Sequence, residues 1–248
     1  MSVRTTLTIG FSLVLFTNHF WGVILVTGEE KGLCMDNIQQ IAIIGNGEDW
    51  KKEKIVHYCR KADFIMAADN GLSLLHQLKT RPNLIIGDFD SVPASILNHY
   101  QDIPREEYPA DKDLSDSELC LRKAIQLKSK AIDLLAMTGN YFDHSYATIV
   151  NLFRNNYEEI NINVITSNAT IFPVSRDMVL NHVKGRRFSL FPLTAVSDFS
   201  MKGAQYNLSK SQLSIMDYSL SNVIISEKLT LHFQKGLLFC VLFDPGYR

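Results

Sequence analysis

The sequence predicts an α/β protein, with a Rossmann-like parallel-sheet N-terminal domain followed by a small C-terminal all-β sandwich or barrel. Two patterns carry this. From Met35 to about Asn168, short apolar runs alternate with amphipathic stretches, the mark of a parallel sheet covered on both faces. Beyond Asn168 helical periodicity fades and short alternating strands take over. The expected boundaries are residues 35–168 for the α/β part and 178–248 for the all-β part, with residues 1–34 as a hydrophobic leader.

Element by element, Ile41–Ile44 reads as a buried strand, followed by Gly45–Glu48 and a helix from about Asp49 to Lys61. Phe64–Ala67 is a second strand, closed by Ala68–Gly71 and a helix through Leu78. Leu84–Ile86 is a third and ends in Gly87-Asp88-Phe89-Asp90-Ser91. Ser115 opens a helix to about Leu127, with Glu118 completing a capping box. Ala131–Met137, a helix over Asp143–Asn155, and Asn161–Thr166 finish the α/β part. The expected later strands are Arg187–Phe191, Gln212–Ile215, Leu229–Phe233 and Leu237–Phe243. In Leu229–Phe233 the apolar residues fall on one face, as a half-exposed antiparallel strand requires.

Bulk properties narrow the function classes. The 248 residues carry a net charge of −1, so no overall field attracts nucleic acid or acidic membranes. Four scattered cysteines, with no CxxC pair and no zinc spacing, point to structural thiols in a reducing compartment, the cytoplasm. From Thr5 to Gly28 there is no charged residue, a run long enough to span a bilayer on hydropathy. The polar pair Asn18–His19 interrupts it, and Met35 stands just before the first strand-like run. A start at Met35 is the favoured reading, and membrane contact is expected only if the N-terminal segment is retained.

In an open parallel sheet, ligands bind outside the carboxyl ends of the strands. The acidic residues collect there: Asp69, Asp88 with Asp90, and Asp143, while Asp111, Asp113 and Asp116 lie in the turn before a helix. Asp88 and Asp90 are two residues apart, which in extended backbone places both on one face, about 7 Å apart at Cα. Carboxylates so placed can share a Mg²⁺ ion, which also relieves their mutual repulsion. A single Asp after a strand is more often a turn former or cap, so Asp69 alone says little. First-turn charge accounts equally for Asp113 and Asp116. Asn46-Gly47 fits either a tight turn or backbone donors for a phosphate. Neither GxxxxGK[ST] nor GxGxxG occurs.

Taken in order, Asn46-Gly47-Glu48, Ala68-Asp69-Asn70-Gly71, Gly87–Ser91, Asp111–Asp116, Thr138-Gly139, Asp143-His144 and Asn151 resemble the thiamine pyrophosphokinase family. Gly203–Leu208 and Ser219-Leu220-Ser221-Asn222 resemble its later elements. The resemblance implies transfer of a diphosphoryl group from ATP to thiamine, with Mg²⁺ as cofactor, in a homodimer. It implies that Asp88, Asp90 and Asp113 hold the metal, that Lys112 offsets phosphate charge, and that Asp116 supports the metal or the thiamine hydroxyl. Asn46, Asp69, Thr138, Gly139, Asp143 and His144 fall on the nucleotide side. Tyr206 falls against a thiamine ring, with Ser219, Ser221 and Asn222 on its pyrimidine. Three departures stand out: Asn70 replaces a glycine, Ser115 a threonine, and Tyr141 an arginine. A tyrosine lacks the paired donors with which guanidinium grips phosphate. The alternatives are a pyrophosphokinase for another flat alcohol, such as a hydroxymethyl-pterin, a thiamine-binding protein with impaired catalysis, or a metal-dependent nucleotide hydrolase.

Overall fold

A computed structural model describes residues 38–111, 114–139, 141–154 and 160–247. The leader therefore lies outside the described residues, as do Lys112 and Asp113. The α/β part starts with β1 (Gln40–Ile44), α1 (Lys52–Lys61), β2 (Phe64–Ala68), α2 (Gly71–Gln77), β3 (Leu84–Gly87), α3 (Ala94–His99) and β4 (Arg105–Glu107). It continues with α4 (Asp116–Gln126), β5 (Ala131–Leu135), α5 (Phe142–Asn151) and β6 (Asn161–Ile165). Strands β4-β3-β2-β1-β5-β6 lie side by side, all parallel. On β1, Ile41 and Ile43 pack with Leu119, Leu121 and Leu152 of one helical layer, while Ala42 and Ile44 pack with Ile55, Leu72 and Leu75 of the other. Burial on both faces explains why these strands read as unbroken apolar runs.

The remaining strands are β7 (Ala169–Pro173), β8 (Asp177–Asn181), β9 (Arg187–Pro192), β10 (Val196–Lys202), β11 (Leu208–Leu213), β12 (Ser219–Val223), β13 (Lys228–His232) and β14 (Leu238–Phe243). They form a sandwich rather than a barrel. One layer, β11-β10-β13-β8, is a sheet of its own. The other, β12-β9-β14-β7, joins the parallel sheet through the antiparallel β6–β7 pair, giving ten continuous strands. Between the layers lie Phe188, Phe199, Leu229, Leu231 and Leu238. Leu229 and Leu231 are buried while Lys228 and His232 are exposed, the alternation expected of this strand.

Several local expectations shift. Helix α1 starts at Lys52 rather than Asp49, because the Asp49 carboxylate is engaged elsewhere, accepting from Ser167 N and from Thr138 Oγ1. Ser115 caps α4 by accepting from Glu118 N at 3.3 Å, but the reciprocal half of the capping box is replaced. Buried Glu118 instead pairs with Arg122 at 2.9 Å and with Arg154, tying α4 to the end of α5. The strand expected at Gln212–Ile215 lies earlier, at β11. Among the described residues no helix is long and apolar enough to cross a membrane.

Candidate active site

Chain order reverses at β1: β2, β3 and β4 follow on one side, β5 and β6 on the other. Strand ends diverge at such a switch point, and a cleft opens there. Here it measures about 830 Å³ and reaches from Asp69 and Asp88 past Asn46 to Thr138, Tyr141 and His144. Two loops form its floor. Gly45 N donates to Leu135 O, Gly47 N to Ala136 O and Asp49 N to Thr138 O, so the loop after β1 runs along the loop after β5. A Cβ on Gly47 would lie 2.3 Å from Thr138 O, so only glycine permits this approach. Because the Gly47 N–H is spent on Ala136, it is not the phosphate donor that the sequence allowed. Asp49, which sequence reasoning passed over as a helix residue, binds both Thr138 and Ser167 and so fixes this floor.

At the ends of β2 and β3, carboxylate oxygens of Asp69, Asp88 and Asp90 lie within 4.8 Å of one another. The cause is not an extended strand. Phe89 has φ of 63°, which folds Asp88 and Asp90 into a turn in which Asp90 N donates to Asp88 Oδ1 at 3.2 Å. Asp69, at φ 46°, sits against Gly87, where a Cβ would lie 2.9 Å from its own Cβ. It accepts from Phe89 N and Ser91 Oγ, which hold the turn in place. The negative charge on Asp88, with its hydrogen bond, raises the Asp90 carboxyl above its usual range. Three close carboxylates with oxygen-only donors fit a hard divalent cation such as Mg²⁺. Asp69, read from sequence on the nucleotide side, thus stands with the metal candidates. Asn70 has φ of −68°, so the left-handed turn falls on Asp69 and a glycine at position 70 is unnecessary.

Asn46, Asp69, Thr138, Gly139, Asp143 and His144, the six expected nucleotide residues, all line this cleft, and so do Asp88 and Asp116. The four residues expected on the thiamine side gather elsewhere, around β12 and the turn before β11. Tyr206 is 69% exposed, and its backbone is clamped by Asn222: Tyr206 N donates to Asn222 Oδ1 at 3.2 Å and Asn222 Nδ2 donates to Tyr206 O at 2.8 Å. Asn222 is only 2% exposed, so it shapes the turn that presents Tyr206. Ser221, at φ 54°, accepts from Arg187 Nη2 at 2.8 Å and is exposed. Ser219 starts the same strand.

Comparison with known proteins matches this architecture. Residues 55–164 match the catalytic domain of thiamin pyrophosphokinase, and residues 170–238 match its vitamin B1 binding domain. The chain belongs to the thiamin pyrophosphokinase family. Among curated relatives, a thiamine pyrophosphokinase of Bacillus subtilis is 22% identical over 82% of this chain and 98% of its own length. Thiamine pyrophosphokinase 1 of Arabidopsis thaliana is 22% identical over 65% of each chain. The crystal structure of the thiamin pyrophosphokinase from Geobacillus thermodenitrificans has the same fold, with a TM-score of 0.72 at 23% identity over 84% of this chain and 99% of that one. The Bacillus subtilis crystal structure gives 0.73 at 20% identity, over 84% and 100%. The boundary between the two matched thiamin pyrophosphokinase domains falls at the β6–β7 corner, where the parallel sheet turns antiparallel.

Proposed function

We propose that the chain transfers the diphosphoryl group of ATP to thiamine, giving thiamine diphosphate and AMP. The observation that carries this beyond the family match is the Asp69–Asp88–Asp90 cluster at one end of a cleft large enough for a nucleotide. These three residues, with Asp113 as the resemblance implies, would hold Mg²⁺. When bound there, Mg²⁺ neutralises charge on the phosphates. Attack by the thiamine hydroxyl on the β-phosphorus forms the new P–O bond and breaks the bond to the α-phosphate, so AMP leaves. Asp116, at the first turn of α4 on the cleft wall, would accept the hydroxyl proton. Lys112 would offset negative charge, while Asn46, Thr138 and Gly139 would position the donor. The test is purified protein with ATP, Mg²⁺ and thiamine, scored for both products. ATP consumed without thiamine diphosphate would make the chain a hydrolase instead, and transfer only to a hydroxymethyl-pterin would change the acceptor. Nothing in the site favours either.

The thiamine-side residues support a dimer. β12 is one edge of the ten-stranded sheet, and β2 lies seven strand positions away. At ~4.8 Å per strand that is about 34 Å along the sheet, too far for one thiamine to touch both groups. A complete site then needs the cleft of one chain and the Tyr206 surface of a second, as a homodimer provides. The buried free thiols Cys59, Cys120 and Cys240 support a reducing, cytoplasmic setting.

Thiamine carries a positive thiazolium, and an exposed tyrosine face can attract it by roughly 0.5–2 kcal/mol. Tyr206→Ala should therefore raise the thiamine KM by up to about thirtyfold and leave the ATP KM unchanged. Asn222→Ala, which releases the Tyr206 turn, should move the thiamine KM in the same direction. Steady-state kinetics with each substrate varied in turn checks both. An ATP KM that rises equally would place Tyr206 outside the thiamine site.

A further inference from the structure

We infer that Tyr141, with the His144 ring beside it, is the platform on which the nucleobase of the phosphate donor stacks. The inference rests on the diphosphotransfer reading above and assigns the far end of the same cleft. Tyr141 is 72% exposed, yet it lines the cleft wall. Its ring centroid lies 5.6 Å from that of His144, at 49° between planes.

The placement is built rather than incidental. Ser145 Oγ donates to Tyr141 O at 3.0 Å and accepts from Gly139 N at 3.2 Å, and Ser145 N also donates to Tyr141 O. The tyrosine backbone is thereby pinned to the Thr138–Gly139 floor. Tyr141 is the N-cap of α5, and the turn of about 100° per helix residue puts His144, Ser145 and Thr148 together on one side of that helix. All four line the cleft. The exposed rings of Phe142 and Tyr146, stacked 6.2 Å apart, lie on a different side and do not line it. Tyr141 therefore faces the ligand space, separately from that second aromatic pair.

Charge and distance identify what it receives. No Lys or Arg lines the cleft among the described residues, and its Tyr141 end offers two ring faces instead. A flat uncharged ring with a polar edge suits two exposed rings next to Asp143. The acidic cluster lies at the ends of β2 and β3, and Tyr141 follows β5, two to three strands away. That is about 10–14 Å, a span suited to a nucleoside and its first phosphates.

The test is calorimetric binding of AMP, adenosine and ribose 5-phosphate to wild type, Tyr141→Ala and Tyr141→Phe, with folding checked by circular dichroism. AMP and adenosine should bind Tyr141→Ala about tenfold more weakly, as loss of one base–aromatic stack implies. Tyr141→Phe should bind like wild type, and ribose 5-phosphate should not distinguish the three. Unchanged AMP binding in Tyr141→Ala overturns the assignment. So does an equal loss for ribose 5-phosphate, which would put the ring beside the phosphate. The product assay on wild type is read separately. If no thiamine diphosphate forms but AMP binding still depends on Tyr141, the transfer reading fails and the base platform stands.

Discussion

Asp88→Asn and Asp90→Asn should each lower diphosphoryl transfer at least a hundredfold at saturating Mg²⁺, with the fold intact. Removing one carboxylate from a three-carboxylate cluster forfeits part of the several kcal/mol that a correctly held cation contributes to phosphoryl chemistry, and ~2.7 kcal/mol is already a hundredfold. The structural cost is small. Asparagine at position 88 keeps an oxygen to accept from Asp90 N, and it removes the negative charge that raises the Asp90 carboxyl. In metal-free buffer the thermal midpoint of Asp88→Asn should accordingly match or slightly exceed that of wild type. Millimolar Mg²⁺ should raise the wild-type midpoint, since a ligand that binds only the native state stabilises it. The same addition should leave the Asp88→Asn midpoint unmoved. Near-normal turnover in either variant would remove that residue from the metal site.

The parts of this arrangement that were legible in sequence are those written in local patterns. Strands β1, β2, β3 and β5 are buried on both faces, so they stand out as apolar runs, and the aspartates after them mark the ligand end of the sheet. The capping serine of α4 is likewise a local signal. Elements without a buried stripe were missed. Strand β4, Arg-Glu-Glu, has no buried residue and exists because β3 supplies its hydrogen-bond partners. Helix α3 has no fully buried residue and carries no strong period, while β11 buries only Leu213, at its end, which is why the strand expected there sits too late, at Gln212–Ile215. The clustering of Asp88 and Asp90 was anticipated but for the wrong reason. A positive φ at a phenylalanine is rare, and its support comes from Asp69, some twenty residues earlier in the chain. The continuity of the sheet across both domains depends on the β6–β7 and β7–β14 pairings, the second joining segments about seventy residues apart. For the same reason, nothing local revealed that Asn222 is buried beneath the Tyr206 turn.

Mixing Tyr206→Ala chains with Asp88→Asn chains should restore activity that neither variant shows alone. Each variant damages one of the two groups that lie at distant positions of the sheet. If thiamine bridges two subunits, a mixed dimer contains one site with both lesions and one with neither. Random exchange makes half of the dimers mixed, so about a quarter of wild-type activity should return. The background is low when thiamine is kept well below its KM. There Asp88→Asn homodimers retain at most about a hundredth of wild-type activity, and Tyr206→Ala homodimers as little as about a thirtieth. Subunit exchange must be confirmed independently, for instance by recovering mixed dimers through two different affinity tags. A signal clearly above the average of the two parents then requires metal and thiamine groups from different chains. Activity that stays at the average of the two parents after confirmed exchange means that each site is built within one chain. The about 34 Å separation along the sheet would then have to be closed by a rearrangement between the two domains.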